Sequence, residues 1–402
     1  MTHIARVPSP APPWWLALIL IAAGCAELPA PACAPCRPCA QCEAPAKPAP
    51  PRYEPSSFDA IPQWQGAQLA PGLRAFAAGC ERIPVQSPLR AACDAAGAIP
   101  AGDESAARRF VEETFAPWTL AGPEGAVEGL ITGYYEPVIA GSRTRTARYR
   151  HPVYGVPEDL VAVELDSLYP ELRHMRLRGR VANARLVPYW SRAEIEANGA
   201  LRAPVIAWVE DPVELFFLQI QGSGQIELES GERMRIGYAE QNGHPYRSLG
   251  RHLADHGEMA LEQTSMQGIK AWAAANPEKL QAALNANPSY VFFRELPPPQ
   301  AGAAADGPPG TLGAPLTAEY SLAVDPRHVP LGAPVFLVTT WPLSAEPLAR
   351  LMAAQDTGGA IRGPARADFF WGSGTEAGAL AGRMRQRGRM WILWPRGAPS
   401  PP

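Results

Sequence analysis

Three aspartates in the last quarter of the chain offer the clearest chemistry: Asp325 in LAVDPRHVPLG, Asp356 in AQDTGGAIRG and Asp368 in RADFFWGSG. Each stands where an apolar run meets turn-forming residues, a place where Asp also serves simply as a turn former. Phe369, Phe370 and Trp371 follow Asp368 directly. Aromatic cover would desolvate that carboxyl and raise its pKa, as a general acid near neutral pH requires. If Asp356 shares the cleft, like charge raises one of the pair further. Three carboxylates could also hold Ca²⁺. Asp356-Thr357-Gly358 matches the aspartic-protease triplet, but that chemistry needs two carboxylates sharing a proton, and no second D-T-G or D-S-G occurs. There is no G-x-S-x-G, no H-E-x-x-H and no Walker A loop. His252 and His256, four apart on an expected helix, would need a third ligand nearby to hold a metal and read instead as solvated helix residues. No metal and no cofactor is expected.

The elements that must position these residues are mostly short strands. Strands are expected at Ser321 to Val324, Val335 to Thr340, Leu351 to Ala354 and Met390 to Trp394, with β-like text from Val127 to Val138. Ile226 and Leu228, then Met234, Ile236 and Tyr238, alternate around Ser230-Gly231 as in a β-hairpin. Helices are expected at Ser105 to Phe115 with a Ser cap, after the capping box Ser191 to Glu194 with a stop at Gly199, and from Asp211-Pro212. Two more should cover Tyr246 to His256 and Ser265 to Ala286, the second broken at Asn276-Pro277. Leu296 to Gly310 resembles a linker. No repeat of 20–50 residues is visible.

Composition narrows the class. The chain has 402 residues, room for two ordinary domains, and its 47% apolar content supports a sizeable core. Net charge is -3, without the basic footprint of a nucleic-acid binder. The 46 Pro and 36 Gly amount to a fifth of the residues, above the roughly 12% usual for the pair. That excess favours turns, short strands and linkers over a helical bundle.

The first 62 residues read as export, anchor and tether. Trp14 to Ala23 (WWLALILIAA) is too short to span a bilayer and has the length of a signal-peptide h-region. Gly24-Cys25 follows and resembles the lipobox of bacterial lipoproteins, with Ala22 where Leu is usual; Cys25 would carry the lipid. Ala26 suggests, by analogy, sorting to the outer membrane. Residues 26–62 hold ten Pro and should form an extended spacer. Cys33, Cys36, Cys39 and Cys42 lie in it at equal spacing; a Pro-rich exported tail offers a cluster no apolar shell, so disulfides are favoured over iron–sulfur ligation. Cys80 and Cys93 could pair as well.

The ordered segments TGYYEP (Thr132 to Pro137), QIQGSG (Gln219 to Gly224), GYAEQNGHPYRSLG (Gly237 to Gly250), NPSYVFF (Asn287 to Phe293) and the three Asp contexts resemble the membrane-bound lytic murein transglycosylase A family, with a C-terminal 3D domain. The resemblance runs from about Gly129 to Pro395. It implies a mainly β fold: a double-psi β-barrel, a second inserted β-barrel-like domain and accessory helices. On that basis residues 1–25 form the signal peptide with its lipobox Cys, 26–62 the tether, 63–137 and 311–395 the two parts of the barrel, 138–296 the inserted substrate-binding domain, and 297–310 a linker or loop. A groove between the lobes would take a glycan strand.

The implied activity is non-hydrolytic cleavage of the β-1,4 bond between N-acetylmuramic acid (MurNAc) and N-acetylglucosamine (GlcNAc), leaving a 1,6-anhydro ring. Asp368 matches the family's catalytic position, with Asp356 and Asp325 in support. Thr132, Tyr134, Tyr135, Gln221, Gly222, Ser223 and Arg362 are expected to meet the sugar. Against the family pattern there is one extra residue between Asp356 and Asp368, Ala367 replaces an aromatic, and Arg362 replaces Lys. The expected partners are peptidoglycan strands, the membrane through Cys25 and possible other murein enzymes, on the periplasmic side of the outer membrane. The competing reading is a non-catalytic peptidoglycan-binding lipoprotein; Asp356 and Asp368 together favour the enzyme.

Overall fold

The computed structural model describes residues 52–122, 125–172, 175–197, 201–298 and 307–401. The expected signal peptide, Cys25, most of the tether with its cysteines and the Gly199 stop lie outside the described residues.

Six strands close into a barrel. They are Glu128–Glu136, Ser321–Val324, Pro334–Thr340, Pro347–Thr357, Ala367–Ser373 and Arg385–Pro395. The ring runs from Arg385–Pro395 through Pro334–Thr340, Pro347–Thr357, Ser321–Val324 and Ala367–Ser373 to Glu128–Glu136, which pairs again with Arg385–Pro395. Beyond its contact with Glu128–Glu136, the last strand carries Phe115–Ala121 on the same edge, and Arg52–Pro55 adds outside it. Ser321–Val324 is as expected and Pro334–Thr340 gains one residue, but the other two expected strands are far longer than their apolar cores suggested: Leu351 to Ala354 is the middle of an eleven-residue strand, and Met390 to Trp394 is the end of another. Phe336, Phe369, Trp391 and Leu393 fill the buried interior.

The second sheet is carried entirely between the first and second barrel strands. Its order is Val291–Glu295, Arg233–Gln241, Ser223–Leu228, Val138–Ser142, Val205–Val209, His151–Tyr154, and its two edge strands approach each other without hydrogen bonding, a barrel-like curl. The expected hairpin is present, with Gly231 at φ 82° in its turn. A three-stranded sheet, Val161–Ala162, Arg178–Ala182 and Arg185–Pro188, is appended.

Helix starts follow side-chain chemistry. The capping box forms: Ser191 N donates to Glu194 at 2.7 Å, and the helix Arg192–Ala197 follows. Asp211 accepts from Val213 N and Glu214 N at the head of Pro212–Gln221. Ser265 caps Met266–Ala275, and Asn276-Pro277 separates it from Pro277–Asn285 as expected. The helix expected to be capped by Ser105 runs Glu104–Thr114 and is capped by Asp103, whose carboxylate accepts from Ala106 N. Asp outcompetes Ser there because it sits one residue before the turn with β-region backbone. Helices Ala70–Ala78 and Leu89–Ala96 pack on the barrel, tied by a disulfide between Cys80 and Cys93 with Cα atoms 5.4 Å apart.

Candidate active site

Strand register assembles the site. Ala323 aligns with Asp356 on one neighbouring strand and with Asp368 on the other. Asp368 in turn aligns with Thr132. Because side chains alternate along a strand, Asp368 and Phe370 share a face with Thr132 and Tyr134, while Phe369 and Trp371 enter the core. The Tyr134 and Phe370 rings meet at 5.1 Å. Of the three aromatics expected over the Asp368 carboxyl, Phe369 and Trp371 therefore turn away, and Phe370, on the carboxyl's own face, packs against Tyr134.

Polar groups surround that carboxyl instead. Its Oδ1 accepts from the Thr132 hydroxyl and from Arg366, with which it forms an ion pair. Arg366 also donates to Thr132 Oγ1 at 2.9 Å and to the Ala367 carbonyl at 2.6 Å. Asp368 keeps 21% of its side-chain area exposed and Arg366 16%. Among the described residues, no hydrogen bond reaches Oδ2 of Asp368. Period-two alternation, which puts residues 366 and 368 on one face, was the signal that could have revealed Arg366.

The carboxyl pushed toward its neutral form is Asp356. Burial raises its pKa, and the amides of Thr311 and Thr357 with the hydroxyls of Thr311 and Tyr134 only partly oppose that. Thr311 N and Oγ1 each reach Asp356 Oδ1 at 2.9 Å. Burial also lifts the Tyr134 hydroxyl well above its ordinary value, helped by Asp356 and then Asp368. Tyr134 thus senses both carboxylates from one position, while lacking a well-formed hydrogen bond among the described residues.

Asp325 has a different task. It is fully buried, and Arg327 grips it at 2.9 and 2.6 Å while Gly363 N donates at 2.8 Å. Burial alone would raise its pKa, but these donors outweigh it and hold the carboxyl at about 2. It fastens the loop that leads into Arg366 and Asp368.

Of the other expected sugar contacts, Tyr135 is buried against Gly378, with its hydroxyl 3.4 Å from Met266 Sδ, so it offers no stacking face. Gln221 uses its carbonyl to accept from Tyr135 N at 3.1 Å, keeping its amide N–H groups for other partners. Gly222 ends the helix at φ 79°, a conformation that favours glycine. Ser223 is half-buried and Arg362 exposed. Gly133, between Thr132 and Tyr134, lets the helix Gly374–Ala381 and Trp371 approach: a Cβ there would lie 2.8 Å from Ala381 Cα. Sequence reasoning also missed Glu136, fully buried at the end of the same strand. Its Oε2 accepts from Ser373 Oγ at 2.6 Å and from Gln225 Nε2 at 2.8 Å, joining the barrel to the second sheet.

The chain is similar to known proteins over most of its length. The model of the MltA specific insert domain matches residues 130–294, and that of the 3D domain matches residues 320–394. Membrane-bound lytic murein transglycosylase A of Escherichia coli (strain K12) is 32% identical over 283 residues, 69% of this chain and 68% of that protein. This chain belongs to the MltA family. The Vibrio cholerae protein of the same name is 30% identical over 292 residues, covering 70% of this chain and 69% of its own. MltA of Neisseria gonorrhoeae superposes with a TM-score of 0.74 at 40% identity, over 88% of this chain and 93% of that one. An Escherichia coli MltA structure with bound chitohexaose gives a TM-score of 0.62 at 28% identity, over 87% and 95% of the two chains. In MltA terms, the insert match takes in most of the first barrel strand, Glu128–Glu136, with the second sheet, the three-stranded sheet and their helices, and the 3D match covers the five barrel strands that follow them.

Proposed function

We infer that this protein is a lytic transglycosylase that binds and cleaves peptidoglycan strands. Its relatives in Escherichia coli and Vibrio cholerae carry that name, and one relative binds a chitin oligosaccharide. The observation that carries the reading is the partly exposed Asp368 carboxyl, with one oxygen held by Arg366 and Thr132 and the other open.

In the proposed reaction Asp368, protonated, gives its proton to the GlcNAc O4 as the bond from O4 to the MurNAc anomeric carbon breaks. Positive charge develops at that carbon. The C6 hydroxyl of the same sugar attacks it, and the carboxylate takes the hydroxyl proton, so Asp368 ends as it began. Ordinary glycosidases place two carboxyls about the bond, one as acid and one as base or nucleophile. Here the internal C6 hydroxyl replaces both water and nucleophile, and one carboxyl suffices. Digestion of purified sacculi should release anhydro-muropeptides, each lighter by one water than a hydrolase product. Mass spectra showing only hydrated fragments would sink the reading.

Cys25 is proposed as the lipid anchor, with the Pro-rich residues before Arg52 as the tether, on the outer membrane's periplasmic face; residues 52–62, also expected in the tether, instead add strand Arg52–Pro55 to the barrel sheet and bury Ile61. The h-region before Cys25 supports the anchor, as does the name "membrane-bound" on its relatives. No helix among the described residues is long and apolar enough to cross a membrane. Cys25→Ala should move the protein from the membrane to the soluble fraction; unchanged membrane retention would dismiss the anchor.

A further inference from the structure

We propose that Arg366 is a positioning residue for this reaction: with Thr132 it pins Oδ1 of Asp368 and leaves Oδ2 to carry both proton transfers. The inference rests on Asp368 as the acid. A single carboxyl that first donates and then accepts a proton must present the same oxygen to two places on the sugar in turn. That requires its other oxygen to be fixed, since rotation about the terminal torsion would exchange the two. Oδ1 meets this need, held by one hydroxyl and one guanidinium.

The guanidinium is itself immobilised. One end donates to the Ala367 carbonyl at 2.6 Å and reaches the Leu130 carbonyl at 3.5 Å; the other donates to Thr132 Oγ1 at 2.9 Å. Three residues earlier, Gly363 N is fastened by Asp325. A planar fork suits this set of acceptors, and a point charge does not.

The test measures kcat and KM separately on solubilised glycan strands for the wild type, Arg366→Gln, Arg366→Lys and Asp368→Asn, with chitohexaose affinity and circular dichroism on each. Arg366→Gln should lower kcat by about 10², with KM and chitohexaose affinity hardly changed, and Arg366→Lys should restore only part of the rate. If Arg366→Gln is misfolded, the lysine variant decides alone: reduced kcat at the wild-type KM supports the proposal, and full kcat overturns it. Full kcat in folded Arg366→Gln, with Asp368→Asn inactive, removes the role of Arg366 and leaves the acid in place. Retained turnover in Asp368→Asn removes both.

Discussion

Asp368→Asn is expected to lower turnover on sacculi by about a thousandfold or more, since general acid–base catalysis by one group contributes roughly 10² to 10⁴ and here one group serves both steps. The substitution is nearly isosteric. The amide oxygen can still accept from Arg366 and Thr132, so the strand alignment of Asp368 with Thr132 and Ala323 should persist. What disappears is the transferable proton. The measurement is release of anhydro-muropeptides from the variant, with circular dichroism and chitohexaose binding as controls. Full turnover in a folded variant would reassign the acid, and Asp356, the carboxyl that burial pushes toward neutrality, would be the next to examine.

Asp325→Asn should produce the largest loss of stability among the three aspartates, about 2 kcal/mol by its displacement from 3.8 to about 2. The sign follows from the depressed folded value. The stabilisation is complete above the unfolded value near pH 4 and disappears as pH falls through about 2. The variant should therefore be weaker than the wild type at pH 7, with the gap closing in acid. It would break the two-pronged grip of Arg327 and weaken the acceptor for Gly363 N. Urea unfolding at pH 7 and pH 2.5 checks both statements. Equal stability at pH 7 would mean that Arg327, whose side chain is 40% exposed, gains as much from water as it loses.

Local features of this chain were legible because they depend on neighbours in sequence. The Ser191 to Glu194 box, the Asp211 cap, the break at Asn276-Pro277 and the Gly231 turn each follow from a few adjacent side chains. The three-aspartate contexts and the resemblance they carry gave the mainly β class and the family. The partners within the site were another matter. Thr132 and Asp368 are 236 residues apart, and no periodicity in either segment says that the strands are neighbours. The apolar run around Met352 marked only the middle of its strand, since the polar ends are satisfied by pairing and not by burial. The aromatic run after Asp368 misled for a simple reason: alternate residues of a strand face opposite ways, so Phe369 and Trp371 could not shelter the carboxyl between them. Helix Ala70–Ala78, with Pro and Gly among its nine residues, gave too little pattern to be noticed.

The ring of six strands is closed by the segments most distant in the chain. Glu128–Glu136 finds its two partners only in Ala367–Ser373 and Arg385–Pro395. During synthesis from the N-terminus, this strand must wait with both edges unpaired until its partners, more than 230 residues further on, have been made. A premature stop anywhere before residue 385 would leave the enzyme without a closed wall and with exposed edges prone to aggregation.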